Sequence, residues 1–122
     1  MSTGVANLIV YQKAFELAMN IYEISKGFPK EEKYSLTDQI RRSSRAVNAN
    51  LAEAYSKRKY EAHFISKLTD ADMENSETIV WIDFSLKCGY INKNIADELN
   101  QKAEETGRIL NYMIQNPSKF IR

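Results

Sequence analysis

Residues 39–54, QIRRSSRAVNANLAEA, read as the middle of one long helix with two different faces. At ~100° per residue, Leu36, Ile40, Val47, Leu51 and Ala54 fall on one side, as a core-facing stripe should. Arg41, Arg42 and Arg45 fall on the other. Ala46, Ala49 and Ala52 lie among or beside these arginines, where a neighbour could approach closely. One side belongs to a core, and the other is available to a partner.

Outward from this helix the same periodicity continues. Towards the N-terminus, Val10, Ala14, Leu17, Ile21 and Ile24 recur at helical spacing and predict a helix over about 8–26, after a loose start at 1–6. Gly27 and Pro29 end it. Ser35 begins the central helix, with its hydroxyl expected to accept from the backbone N–H of Asp38. That helix should span about 36–57 and measure ~33 Å. Its end near Ser56–Lys59 carries neither Gly nor Pro.

A third helix over about 60–87 repeats Phe64, Leu68, Ala71, Asn75, Thr78, Ile82 and Leu86 at steps of four and three, a seam for helix packing. It carries a second stripe of Asp70, Glu74, Glu77, Trp81, Phe84 and Cys88. That stripe is acidic in its first half and aromatic in its second, so the helix has more than one neighbour. Gly89 closes it, Asn92 caps a fourth helix over about 93–116, and Pro117 ends that one. The seam of the fourth helix is Ile95, Leu99, Ala103, Thr106, Leu110 and Met113. The expected fold is all-α: one domain over 1–122, an up-down-up-down antiparallel four-helix bundle.

The totals agree with this. A chain of 122 residues, 43% hydrophobic and 27% charged, suits one soluble domain with one core. Four glycines and two prolines are few, which favours helices with short connections. The net charge of +1 decides nothing about nucleic acid, so only local clustering can. The single cysteine excludes an internal disulfide and a Cys-rich zinc site. There is no secretory signal pattern and no apolar run of the ~20 residues that span a bilayer. These features predict a cytoplasmic protein that does not engage the membrane.

Candidate functional residues form three groups. Arg41, Arg42, Arg45, Lys57, Arg58 and Lys59 are opposed within their span only by Glu53, and guanidinium forks suit phosphate oxygens. They are the candidate contacts to RNA or DNA. In an antiparallel hairpin turning near residue 58, however, Arg45 lies level with Asp72 and Arg42 with Asn75. The acidic run of Asp70, Asp72, Glu74 and Glu77 could then neutralise the arginines, within a subunit or between subunits. The second group is a candidate oligomer interface of Ala46, Ala49, Asp70, Glu74, Glu77, Trp81 and Phe84. The third is a candidate hydrogen-bond network of Gln39, Asn50, Glu53 and Asn75, since a buried amide must find partners to fix register.

No enzyme is indicated. There is no Gly-rich phosphate loop and no nucleophile elbow. A di-iron site in a bundle needs Glu-x-x-His from two helices, but Tyr60 stands three residues before His63, the only histidine. No metal or cofactor is expected, and no small-molecule substrate is evident.

The ordered set Val10-x-Gln12-Lys13-Ala14, Phe28-Pro29-x-Glu31-Glu32-x-Tyr34-x-Leu36-Thr37-x-Gln39-Ile40-Arg41-Arg42, Asn50-Leu51-Ala52-Glu53, Glu77-Thr78-x-x-Trp81 and Gly89-Tyr90-Ile91 resembles a known family. It is the four-helix-bundle protein family encoded in intervening sequences of bacterial 23S ribosomal RNA genes, and the resemblance covers roughly residues 8–115. It implies an all-α bundle that assembles as a homopentamer, and it does not imply an enzyme. It also points to a related protein, the accessory variability protein of diversity-generating retroelements, a basic pentamer that binds nucleic acid. This chain departs from the pattern in having Asn48 for a usual Pro, Ala54 for a usual Gly and Tyr11 for a usual Trp, and in its near-neutral charge. The expected function is that of a non-enzymatic bundle forming a homo-oligomeric ring, with RNA or DNA as candidate partner. The alternative is a protein–protein interaction module whose charged faces serve assembly alone.

Overall fold

The computed structural model describes residues 4–121. Four helices follow one another: α1 (Ile9–Ser25), α2 (Leu36–Ser56), α3 (Glu61–Lys87) and α4 (Lys93–Gln115). Each helix packs on the next, and α1 closes the bundle against α4. No strand occurs among the described residues. The all-α, up-down-up-down bundle expected from the periodicities is the fold observed.

The stripes read from the sequence are the buried ones, except that Ile24, Leu86 and Ile95 are only partly buried. Leu36, Ile40, Val47, Leu51 and Ala54 of α2 are all buried, as are Phe64, Leu68, Ala71 and Ile82 of α3 and Leu99, Ala103, Leu110 and Met113 of α4. The apolar core falls into two clusters. Leu51, Phe64, Leu68 and Leu110 centre one; Ile21, Ile40, Ile82 and Leu99 centre the other. Along the helices, a buried polar layer of Ser43, Asn75, Thr78 and Thr106 falls between them. Ser43 Oγ and Thr78 Oγ1 are 2.8 Å apart, joining α2 to α3, and Asn75 Nδ2 donates to the Ala103 carbonyl at 2.8 Å, joining α3 to α4. Asn48, at a position that departs from the family pattern, donates to the Tyr11 carbonyl at 3.0 Å and joins α2 to α1. Gly107, inside α4, makes room for the Asn75 amide: a Cβ there would lie 3.3 Å from Nδ2.

Several helix ends differ in detail from expectation. The expected loose start is 1–6; residues 1–3 of it lie outside the described residues. Val5–Asn7 form a 3-10 turn, and Val5 packs against the core. Ser35 does not cap α2 with its own oxygen. Its hydroxyl instead donates to Glu32 Oε1 at 2.6 Å, and the same carboxylate oxygen accepts from the Leu36 N–H at 3.3 Å. An ionised carboxylate is the stronger acceptor, so the cap comes from the preceding Lys30–Glu32 turn. Asn92 caps α4 as expected, accepting from the Ile95 N–H at 2.8 Å.

The turn between α2 and α3 is made without Gly or Pro. Arg58 Nε donates to the Tyr55 carbonyl at 2.8 Å, and its guanidinium carbon sits 3.5 Å from the centre of the Tyr55 ring. The side chain satisfies a carbonyl that another helical turn would have used. Basic residues also suit the negative end of the helix.

Candidate functional site

The three central arginines take different partners. Arg42 reaches across to α3. Its guanidinium pairs with Glu74 at 3.2 Å and with Glu77, and its Nε donates to Gln39 Oε1 at 3.3 Å. The hydrogen bonds to Glu74 and Glu77 hold the Arg42 pKa above its usual value. The Glu77 carboxylate is held below its usual range, first by the Trp81 indole N–H, which donates to it at 3.0 Å, and then by Arg42.

Arg41 and Arg45 turn the other way, towards α1. Arg41 Nε donates to Ser25 Oγ at 2.7 Å, and its guanidinium lies 4.9 Å from the Tyr22 ring centre. Arg45 lies 5.6 Å from the same ring. Arg45 does not meet Asp72, the position level with it in the hairpin, because at ~100° per residue it leaves the α3 side. Asp72 has no cationic partner among the described residues, and burial raises its carboxyl pKa.

α2 thus has a charge-compensated side and an uncompensated one. On the α3 side, Lys67 joins Glu53 at 3.4 Å and Asp70 at 3.6 Å, so the acidic half of the second stripe is already paired within the chain. Further along, Trp81 and Phe84 lie 5.8 Å apart, with Phe84 52% exposed. With Leu36, Gln39 and the exposed Cys88 they line a mostly apolar groove of about 240 Å³. Ala46 and Ala49 lie on α2 away from this groove, Ala49 exposed and Ala46 partly so.

Along the start of α2, Lys33, Tyr34, Thr37, Asp38, Arg41, Arg42 and Arg45 line an open groove of about 530 Å³. At the far end of α2, Lys57 and Lys59 are exposed and make no ion pair among the described residues, whereas Arg58 is folded back on Tyr55. The basic residues named from the sequence therefore fall into a groove pair, a compensated one, a capping one and two free lysines.

The four polar residues expected to form a network do not meet. Gln39 accepts from Arg42, Asn50 donates to the Ala46 carbonyl one turn back, Glu53 pairs with Lys67, and Asn75 reaches Ala103. Ser43, Thr78 and Asn48 make further inter-helix bonds. Sequence reasoning also missed Tyr22 and Ser25, which steady Arg41 from α1. Their spacing of three places them on one helical face, a signal that marks a pair without identifying its arginine.

Among the described residues, no cluster of His, Cys, Asp and Glu could hold a metal ion, and no helix is long and apolar enough to cross a membrane. Residues 6–112 match the profile of a family described as 23S rRNA-intervening sequence protein. The chain belongs to that family. A member of the S23 ribosomal protein family from Bacteroides thetaiotaomicron VPI-5482, a protein with unknown function, has a similar crystal structure. It has a TM-score of 0.80 and 30% sequence identity, over 88% of this chain and 96% of that one. Comparison with curated proteins gives no match. Within this 23S rRNA-intervening sequence protein fold, the two unlike sides of α2 are the features available for partners.

Proposed function

We propose that this 23S rRNA-intervening sequence protein is a non-enzymatic, self-assembling bundle that presents its uncompensated basic side to RNA or DNA. The observation that carries this reading is the division of α2. Arg42 is matched within the chain by Glu74 and Glu77, while Arg41, Arg45, Lys57 and Lys59 have no carboxylate partner among the described residues. Charges held in reserve on one side suit phosphate contacts, which dominate nucleic-acid affinity. The compensated side, with Phe84 exposed and Trp81 partly buried beside it, suits a second copy of the chain. Family resemblance favours a closed ring, a homopentamer, which a heterologous interface would build. The free Cys88 thiol suits the cytoplasm.

The test is a fluorescence titration with structured RNA and with duplex DNA at two salt concentrations. Affinity should fall steeply with salt. It should fall further when Lys57 and Lys59 are changed to Gln and again when Arg41 and Arg45 are, with the oligomer intact by light scattering. No binding at low salt by an intact oligomer would reject the nucleic-acid reading in favour of an interaction module whose charges serve assembly alone.

A further inference from the structure

The groove along the start of α2 carries features that contact with a continuous strand does not require. It lies at the N-terminus of a 21-residue helix. Glu32 satisfies the Leu36 N–H, but the N–H groups of Thr37 and Asp38 have no backbone or side-chain acceptor among the described residues. Open N–H groups at the positive end of a helix favour an anion.

An independent observation points the same way. Thr37, which lines this groove, is 8% exposed, and its Oγ1 has no hydrogen-bond partner. A buried hydroxyl without a partner is unfavourable, and a ligand oxygen would supply the missing acceptor.

The charges fit a dianion. Arg42 is matched by Glu74 and Glu77, which leaves Lys33, Arg41 and Arg45 against Asp38 as the groove's own charges. Two positive charges remain unmatched, which is the complement of a phosphate monoester near neutral pH. Arg41 is also pre-positioned: Ser25 holds its Nε and Tyr22 its flat face, leaving both terminal nitrogens free to fork onto phosphate oxygens.

We infer that this groove is a discrete site for a phosphate monoester, bound between the open N-terminus of α2 and the guanidinium groups of Arg41 and Arg45. The inference deepens the reading of the basic side given above. The monoester has two sources, a free nucleotide or the 5′-phosphorylated end of a nucleic-acid strand.

Isothermal titration at low ionic strength, with inorganic phosphate and adenosine monophosphate as probes, tests the site. One phosphate should bind per chain. Arg45→Gln should weaken it about tenfold, as the loss of one charge-assisted contact does. The near-isosteric Thr37→Val should weaken it several-fold, and Lys57→Gln with Lys59→Gln should leave it unchanged. Circular dichroism of each variant shows that it is folded. A strand that binds better with a 5′-phosphate than with a 5′-hydroxyl identifies strand ends as the source; adenosine monophosphate binding with no such preference among strands identifies the free nucleotide. Absence of phosphate binding to the folded wild type, or binding unchanged by both groove variants, would overturn the site. If strands still bound through Lys57 and Lys59 alone, the nucleic-acid reading would stand without it. If phosphate bound and strands did not, the site would stand and that reading would fall.

Discussion

Glu32 joins three segments through one carboxylate. Its Oε1 accepts from Ser35 Oγ and the Leu36 N–H, and its Oε2 accepts from the Tyr90 hydroxyl at 2.8 Å. The Ser35 and Tyr90 hydrogen bonds, in that order, hold the Glu32 pKa below its usual value, and the Glu32 carboxylate pushes the Tyr90 phenol up to about 12. The two shifts bound one pH window. A carboxyl whose folded pKa is depressed stabilises the fold above its unfolded value, and that contribution is lost as pH falls through the folded value. A phenol whose folded pKa is raised stabilises the fold below about 10, and the contribution is lost as pH rises towards about 12. Tyr90→Phe should therefore lower the Tm at neutral pH and flatten its decline between pH 10 and 12, as thermal unfolding followed by circular dichroism across pH would show. An unchanged alkaline limb would mean that the hydroxyl contributes nothing to the fold. Ser35 was legible as the start of α2, but the direction of its hydrogen bond was not. A Glu three residues before a Ser can satisfy the helix start from outside, and nothing in the local sequence announced Tyr90 as the third partner.

At the scale of the helices, faces were legible and ends less so. A stripe repeating every three or four residues must bury as a unit, so the core faces of all four helices followed from spacing alone. The division of the arginines did not. Arg41 and Arg42 are neighbours in sequence but ~100° apart on the helix, and α1 meets one side of α2 while α3 meets the other. Which carboxylates reach which side depends on packing between helices. The end of α2 depends on a capping side chain, Arg58, rather than on a residue that forbids helix. The end of α3 depends on Gly89, whose φ of +79° is the left-handed conformation that ends many helices. No atom lies within 4 Å of where its Cβ would be, so Gly89→Ala isolates the backbone cost from any clash. Denaturant unfolding should show a loss of about 1 kcal/mol with an unchanged m-value. A loss several times larger would indicate that the α3–α4 turn relies on packing as well as on backbone freedom.

The whole bundle leaves two exposed features of different physical kind, one apolar and one charged, and they make opposite predictions about salt. If copies assembled by setting the acidic stripe of one chain against the arginines of another, the contacts would be exposed ion pairs. Salt at 1 M shortens the Debye length to ~3 Å and would weaken such a ring. In this chain, however, Glu74 and Glu77 are matched by Arg42, and Asp70 by Lys67. What remains for a neighbour on that side is the groove of Leu36, Trp81, Phe84 and Cys88. Burial of apolar surface is not screened by salt, so the proposed assembly should persist in 1 M sodium chloride while the proposed nucleic-acid binding by the basic side is lost. Phe84→Lys places a charge in the groove at a side chain already 52% exposed, so the bundle itself should stay folded while the oligomer dissociates. Multi-angle light scattering at micromolar concentration reads both outcomes. A mass falling to that of one 14.1 kDa chain in Phe84→Lys, with helical circular dichroism retained, would place the seam at this groove. An assembly that came apart in salt and ignored Phe84→Lys would mean that the ion pairs exchange between chains.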